Sequence, residues 1–562
     1  MPSLILALCL LVSYTLALPA PSRRFSGRFN RRRSTIGARG TVNGSIGLGD
    51  NSDLLYTVPI QLGGTTTVVN LDTGSSDLWV ITSDCVANAC ANARGMARLP
   101  AANLKTTGGN VTMRYGDSKT GTYASGPLAM ETASIAGVAI DNQLFAAIND
   151  TTNTVVQFGA AGIFGLGFPS ESQIQGAAVI NQFGKTGTTD HFVAASYAAG
   201  PLISRIAQSD ALAMPMFTIS LQRSEIDISG KGALTLGTLP PGVDNSSLTW
   251  VPVRLYSPAE GGLTPPTFAP NEVYPLRWEI DLDGVFLDGV EIPASKIPAT
   301  GGVSSTRMSA LIDTGNSILR GPSDVVTSIL STISPNYNAD TPDSATLACA
   351  KAHNLTFQIG GKMFPIDPRD LIGPQSAHDA QTCIVDNIVA TDAPSVGTLF
   401  RWSLGDPFMK SNLVAFHYGN LTNPSQDPPR IGFLSQVPSN AAALLTQAVQ
   451  DAVADGGDFE STLIVAPTAV AANEAEVTVV ASAASLQAAK LTETHVAIVA
   501  TPVPTVAGQG DQAPVATAAA GGKTSANKPI SKNGAARALG LWDPWLIAAV
   551  VGAALFTGTD MV

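Results

Sequence analysis

From about residue 45 onward, apolar and polar side chains alternate in short runs broken by Gly, Pro, Asn and Asp. Tyr56-Thr-Val-Pro-Ile-Gln-Leu and Phe217-Thr-Ile-Ser-Leu are examples. A period of two puts successive side chains on opposite faces of a pleated strand, so these runs predict β-structure. Helical periodicity looks scarce before residue 440. Residues 440–454 then carry a helix-like pattern, with Ser439 in the N-cap position. Beyond 456 the composition turns to Ala, Val and Thr with Pro-containing pieces, which predicts a largely unstructured, low-complexity stalk.

Within the alternating region the chain repeats itself once. Residues 68–80 read Val-Val-Asn-Leu-Asp72-Thr73-Gly74-Ser75-Ser76-Asp-Leu-Trp79-Val, and residues 309–321 read Ser-Ala-Leu-Ile-Asp313-Thr314-Gly315-Asn316-Ser317-Ile-Leu-Arg-Gly. Each is an apolar strand that ends in Asp-Thr-Gly, then a small polar residue and Ser. A second marker keeps step: Ile163-Phe-Gly165-Leu-Gly lies after the first copy and Ser403-Leu-Gly405-Asp-Pro after the second. Gly165 falls 93 residues beyond Asp72, and Gly405 falls 92 beyond Asp313. Two lobes of like internal order, mostly β, are the simplest account, with lobes expected at 41–222 and 223–437.

Both ends have a separate character. Residues 1–18 hold the apolar run Leu4 to Val12 and a small-residue exit at Ala17, as a cleaved secretory signal does. Residues 19–40 form a short basic pro-segment with Arg23, Arg24, Arg28, Arg31, Arg32, Arg33 and Arg39, and with no Asp or Glu before residue 40. Arg31-Arg32-Arg33 has the look of a dibasic processing site. A stalk at 438–538 is followed by a tail at 539–562, whose apolar stretch Trp545 to Phe556 is shorter than the roughly 20 residues that span a bilayer. A short apolar tail after a polar spacer resembles a GPI-attachment signal more than a transmembrane helix.

Composition narrows the classes. The 562 residues are 45% hydrophobic and only 13% charged, with a net charge of -11. Disorder throughout is excluded by the apolar content, and nucleic-acid binding by the acidic balance. Cleavage after Arg33 would carry off six cations and leave -17. Of five cysteines, Cys9 lies in the signal; Cys85, Cys90, Cys349 and Cys383 remain, an even number in an exported chain. Of three connectivities, Cys85–Cys90 with Cys349–Cys383 is favoured because each pair closes a local loop. The Cys85/Cys90 spacing matches no zinc pattern, so neither a metal nor a cofactor is expected. Six N-x-Ser/Thr sequons, at Asn43, Asn110, Asn149, Asn245, Asn354 and Asn420, fit export and glycosylation.

Two Asp on equivalent turns suggest chemistry. Symmetry would bring the turns face to face across a cleft, and two carboxylates about 3 Å apart cannot both ionise readily. The pair then shares a proton: one Asp activates a water while the other polarises a carbonyl. Thr73 and Thr314 supply hydroxyls that can bridge the lobes beneath the carboxylates. Gly74 and Gly315 permit the tight turn and free backbone N–H groups for the carboxylate oxygens.

These residues resemble a pepsin-like aspartic protease, of the two-lobed fungal secreted, yapsin-like type. The matching elements are Asp72-Thr-Gly-Ser-Ser-Asp-Leu-Trp79, Tyr115-Gly-Asp, Ala161-Gly-Ile-Phe-Gly-Leu-Gly, Gly232-Ala-Leu-Thr-Leu-Gly, Asp313-Thr-Gly, Leu404-Gly-Asp-Pro-Phe408 and Arg430-Ile-Gly-Phe433, over about residues 53–436. The resemblance implies an acid endopeptidase with its active site in the cleft between lobes and Asp72 and Asp313 as the catalytic pair. It implies that Ser75 holds the outer oxygen of Asp72. Tyr115, Gly116 and Asp117 would then belong to a hairpin flap over the substrate, with Tyr115 hydrogen-bonded to Trp79. It also implies one local disulfide after the first motif and one in the second lobe. Substrates would be proteins or peptides bound as an extended strand by a monomer, with bulky apolar side chains flanking the cleaved bond. Asp117 near the flap tip is a candidate for admitting a basic residue.

The departures are informative. Asn316 stands where the family usually has Thr or Ser, and its amide is expected to donate a similar hydrogen bond. Ser403 replaces the usual branched apolar residue before Leu404-Gly405. The long gap between the two Asp implies loop insertions, expected around 170–210 and 255–275. Two alternatives are a catalytically inactive binding or inhibitor protein of the same fold, and a glycosidase using paired carboxylates. The intact Asp, Thr and Tyr weaken the first, and the second leaves the symmetric turns unexplained. Neither H-E-x-x-H nor G-x-S-x-G occurs.

Overall fold

The computed structural model describes residues 45–467 and 477–479, apart from 94, 117–120, 185–186, 210, 299–306, 342–344 and 391–399. The segments expected as signal, pro-segment and tail, most of the expected stalk, and Asn43 therefore lie outside the described residues. The architecture is mostly β and two-lobed, and the strand insertions that create the two Asp turns are the same in each half.

In the first half, Tyr56–Leu62 pairs antiparallel with Thr65–Asp72, from Thr57↔Asn70 to Leu62↔Thr65. The connection is Gly63-Gly64, with Gly63 at φ +54°, a conformation that a two-residue hairpin turn favours and that suits glycine. Thr65–Asp72 starts exposed and ends buried, so the strand drives Asp72 inward. Gly162–Gly165 then inserts between Thr65–Asp72, with which it is parallel (Gly165↔Asp72), and Leu78–Ile81, with which it is antiparallel (Ile163↔Trp79). The second half repeats this. Trp402–Leu404 inserts between Ser309–Ile312, parallel with Ile312↔Leu404, and Leu319–Gly321, antiparallel with Leu319↔Leu404.

The paired glycine markers now have a physical reason. A Cβ on Gly165 would sit 2.4 Å from Asp77 N, and one on Gly405 only 1.9 Å from the Asn316 carbonyl oxygen. Each inserted strand passes so close under the Asp turn of its own half that no side chain fits between them.

A six-stranded sheet serves both halves, in the order Ser45–Gly47, Ala233–Leu236, Met216–Ser220, Asn412–His417, Arg430–Ser435, Thr249–Pro252. The boundary expected at 222/223 falls between two of its neighbouring strands. Above this sheet an aromatic cluster joins the lobes. Trp278 lies against Phe168 in a tilted arrangement at 4.3 Å between ring centroids, and its Nε1–H donates to the Leu166 carbonyl at 2.9 Å. Tyr418 donates to the same carbonyl, and Ile312 N–H donates to the Trp278 carbonyl at 3.0 Å. Phe217 and Phe416 complete it.

Three expectations are corrected. Helices do occur before residue 440: Gln173–Phe183, Thr189–Ala199 and Leu202–Gln208 fill the insertion expected as loops, and Ser323–Ile333 lies in the second half. The first two carry weak apolar stripes and owe much to their caps, whereas Leu202–Gln208 has no side-chain cap and is buried over nearly its whole length. Ser172 Oγ accepts from Gln175 N–H, and Thr188 with His191 forms a capping box. Ser323–Ile333 buries Val325, Val326, Ile329, Leu330 and Ile333, an amphipathic spacing that the sequence displays openly. The late helix runs over Ala441–Ala454 with Asn440, rather than Ser439, at its N-cap position.

The third correction concerns the described residues after that helix, 456–467 and 477–479, in a stretch expected to be largely unstructured. These stay on the body. Thr462 N–H donates to the Ser224 carbonyl at 2.9 Å and Ile226 N–H to that of Glu460 at 3.1 Å. Leu463–Ile464 pairs with Gly49–Asn51, and Val477–Val479 pairs parallel with Val138–Ile148. Ala, Val and Thr carry little sign of such pairing, because one strand added to an exposed edge needs no alternating core face.

Candidate active site

Asp72 and Asp313 end the two equivalent strands, and both are buried. Their turns face each other closely. A Cβ on Gly74 would lie 2.3 Å from Asp313 Oδ1, and one on Gly315 would lie 2.3 Å from Asp72 Oδ1. Glycine is thus required twice, by the opposite carboxylate each time.

Beneath the carboxylates the threonines interlock. Thr73 Oγ1 donates to the Ile312 carbonyl (2.8 Å) and accepts from Thr314 N–H (3.0 Å). Thr314 Oγ1 donates to the Leu71 carbonyl (2.8 Å) and accepts from Thr73 N–H (3.1 Å). Each hydroxyl uses its one proton and one lone pair across the lobe boundary, so four bonds lock the two turns with none left dangling.

The two carboxylates are supported unequally. Asp72 accepts from Gly74 N–H at 2.8 Å and from Ser75 Oγ at 2.5 Å. Asp313 accepts from Gly315 N–H at 3.0 Å, but Asn316 gives it nothing directly. The Asn316 Nδ2–H donates instead to Ser403 Oγ at 2.8 Å, and Ser403 Oγ lies 3.5 Å from Asp313 Oδ2. The expected amide bond to the carboxylate is therefore replaced by a relay through Ser403.

Burial raises the pKa of Asp72, against the hydrogen bonds from Ser75 and Gly74. Burial, followed by the negative charge of Asp72, pushes Asp313 well above the usual carboxylate range, against Gly315 N–H and Arg320. Better solvated by donors, Asp72 is the site that favours the charge, and Asp313 favours the proton.

Lys105–Tyr115 and Thr122–Ile135 form a hairpin over this region, with Tyr115↔Thr122 as the last described pair and Gly116 at φ +83°. Asp117 lies outside the described residues. Trp79 Nε1–H donates to Tyr115 Oη at 2.8 Å, tying the hairpin to the strand after the first Asp turn. Burial, then the charges of Asp72 and Asp77, holds the Tyr115 phenol neutral, with its pKa pushed well up.

A small cavity opens between this hairpin and the first Asp turn, lined by Ser75, Asp77, Met113, Tyr115 and Glu171. Three of these were not singled out from the sequence. Asp77 Oδ2 accepts from Gln173 N–H at 2.7 Å and so anchors the helix Gln173–Phe183; burial raises its pKa to about 6. Glu171 pairs with Arg277 of the other half. Only the position of Asp77 inside the first motif could have drawn notice. A larger cavity of about 340 Å³ lies by the helix Ala441–Ala454, with Asp451, Asp455 and Glu460 in its wall, and it includes neither Asp of the pair.

Cys85–Cys90 and Cys349–Cys383 are the disulfides, spanning 5 and 34 residues. The first lies just beyond the Leu78–Ile81 strand; the second ties Thr382–Ile384 to the turn after Thr346–Ala348.

The family model for eukaryotic aspartyl protease matches residues 55–423. The chain belongs to that family. An aspartic protease of Phaffia rhodozyma is 25% identical over 421 residues, which cover 74% of this chain and 83% of that protein. Pepsin A of Sus scrofa is 27% identical over 63% of this chain and 75% of its own length. Cathepsin E-B of Xenopus laevis is 26% identical over 63% and 73%. The duplicated Asp turns and the mostly β, two-lobed architecture are thus those of an aspartyl protease fold.

Proposed function

We propose that the chain is an aspartic endopeptidase that hydrolyses peptide bonds at acidic pH, with Asp72 and Asp313 as its catalytic pair. The observation that carries this is the mutual approach of the two turns: each glycine lies against the opposite carboxylate, over four interlobe threonine bonds.

The unequal donor sets assign the roles. Asp72, ionised, takes a proton from a water held between the carboxylates as the water oxygen bonds to the substrate carbonyl carbon. Asp313 gives its proton to the carbonyl oxygen, so a neutral gem-diol forms. Asp72 then passes its proton to the amine nitrogen as the C–N bond breaks, and Asp313 recovers a proton from the gem-diol hydroxyl. The pair ends as it began. An extended peptide lies in the cleft under the hairpin, where Met113 and Tyr115 favour apolar side chains.

Export through a cleaved signal, glycosylation and surface retention by a GPI-type tail complete this reading, and the lobes serve as one monomeric enzyme. Exposed Asn110, Asn149, Asn245 and Asn354 are open to glycan transfer. Asn420 is half-buried and bound to Thr422 N–H and Asn423 N–H, which disfavours it.

Full-length protein expressed through a eukaryotic secretory pathway tests the proposal. Expected is cleavage of an unfolded protein between pH 3 and 6, reduced at least a thousandfold in Asp72→Asn and Asp313→Asn. Wild-type protein that is folded yet cleaves nothing across that range refutes it.

A further inference from the structure

We propose that Ser403, oriented by Asn316, is the positioning hydroxyl of the second carboxylate, doing for Asp313 what Ser75 does for Asp72. This rests on reading the Asp pair as catalytic. In the first half the residue after Asp-Thr-Gly is Ser75, which donates straight to Asp72 Oδ2 at 2.5 Å. In the second half Asn316 occupies that register, and a carboxamide there reaches past the carboxylate. Its Nδ2 donates to Ser403 Oγ at 2.8 Å, with a longer approach to the Ser403 carbonyl at 3.4 Å, while its Oδ1 accepts from Ile318 N–H at 3.3 Å.

The direction of the relay follows from donor counting. An amide N–H only donates, so it occupies a lone pair of Ser403 Oγ and leaves the hydroxyl proton to find an acceptor. The acceptor within reach is Asp313 Oδ2, at 3.5 Å. Ser403 can stand there because Trp402–Leu404 is the inserted strand, paired Leu311↔Ser403 with the strand that ends in Asp313. Two departures from the family's residues, which look unrelated in the sequence at 87 residues apart, are one hydrogen-bonded unit.

The long contact suits a group that works late. While Asp313 holds the proton, its Oδ2 is a weak acceptor. Once that proton has moved to the substrate oxygen, Asp313 is a carboxylate, and a hydrogen bond to a charged oxygen is shorter and stronger. Ser403 therefore favours the state in which Asp313 has given its proton away. The other charged groups facing Asp313 are Asp72 across the cleft, Arg320 on the Leu319–Gly321 strand and Asp406 after the inserted strand. All three are untouched by a change at Ser403.

The test compares wild type, Ser403→Ala, Ser403→Val, Asn316→Ala and the double variant Asn316→Ala/Ser403→Ala. Each is assayed for kcat and KM from pH 2.5 to 7 on one peptide, with the melting temperature recorded to show that it folds. Valine has the branched apolar shape usual at this position in the family, so it keeps the strand filled if alanine loosens it. Expected in both Ser403 variants is a kcat lowered about three- to tenfold with KM nearly unchanged. The alkaline limb of the profile should shift upward, because a donor to the ionised form of Asp313 is gone. Asn316→Ala should show a smaller effect of the same kind, and the double variant should match Ser403→Ala. Folded Ser403 variants whose profiles superimpose on wild type, or effects of the two sites that simply add, overturn the inference. Absence of activity in wild type would instead remove the enzyme reading itself, so the two failures are distinguishable.

Discussion

Replacing Thr314 by Val tests what holds the two halves of the site in register. The side chains are nearly isosteric, so packing is kept while two interlobe bonds vanish: Oγ1 to the Leu71 carbonyl at 2.8 Å, and Thr73 N–H to Oγ1 at 3.1 Å. Thr314 is only 2% exposed, so water cannot replace the lost partner. The Thr73 N–H is left buried without an acceptor, at about 1–3 kcal/mol, and the Leu71 carbonyl loses a donor at about 1 kcal/mol. Together the loss is about 2–4 kcal/mol.

Thr73→Val removes the mirror pair of bonds and should lose a similar amount. Thr→Ser at either position keeps the hydroxyl and should stay within about 1 kcal/mol of wild type. Urea unfolding followed by tryptophan fluorescence reads the difference as a lowered midpoint at constant slope. Turnover should fall further than stability suggests, since small displacements of reacting groups lower rates by about a hundredfold. A Val variant within about 0.5 kcal/mol of wild type, or one whose stability falls while kcat is unchanged, would refute the reasoning.

Two more expectations concern stability. Asp50 is buried and Glu225 half-buried near Asp53 and Lys410. Burial, then the Asp53 charge, pushes Asp50 up to about 8 and Glu225 up to about 7. Between pH 4 and 8 the folded chain thus holds protons that the unfolded chain releases, so this contribution is full below the unfolded pKa and is lost as pH rises to about 8. Asp370 works in the other direction: burial would raise it, but Arg223 and Lys410 outweigh that and hold it at about 2, so its contribution fades only as pH falls toward that value. The melting temperature should therefore drop from pH 5 to 8, and Asp50→Asn, which keeps the oxygen that accepts from Asp53 N–H, should flatten the decline; equal slopes would sink this. Leu445→Ala, at a position 1% exposed under the helix Ala441–Ala454, should lose about 2–4 kcal/mol in the same urea assay; no loss would mean that the helix does not support the body.

Much of the site was legible because its signals are local. Asp72-Thr-Gly and Asp313-Thr-Gly are contiguous, and duplication told that they meet. The disulfides close loops within one half each, and the Trp79–Tyr115 bond was implied by the family resemblance rather than by spacing. The helices Gln173–Phe183 and Thr189–Ala199 were not legible, since caps rather than an apolar stripe define them. Ser323–Ile333 carries an amphipathic stripe that the strongly alternating pattern around it masks.

By itself, then, the chain determined two like halves, each with an Asp on a glycine turn at a strand end. Period-two alternation and a repeated motif are properties of residues near one another. Only the tertiary structure decided that Ser403 backs Asp313, that Asp77 caps a helix beside the hairpin, and that residues 456–467 stay on the body. These depend on register between segments far apart in the chain, and linear spacing does not encode which donor faces which acceptor once two strands lie side by side.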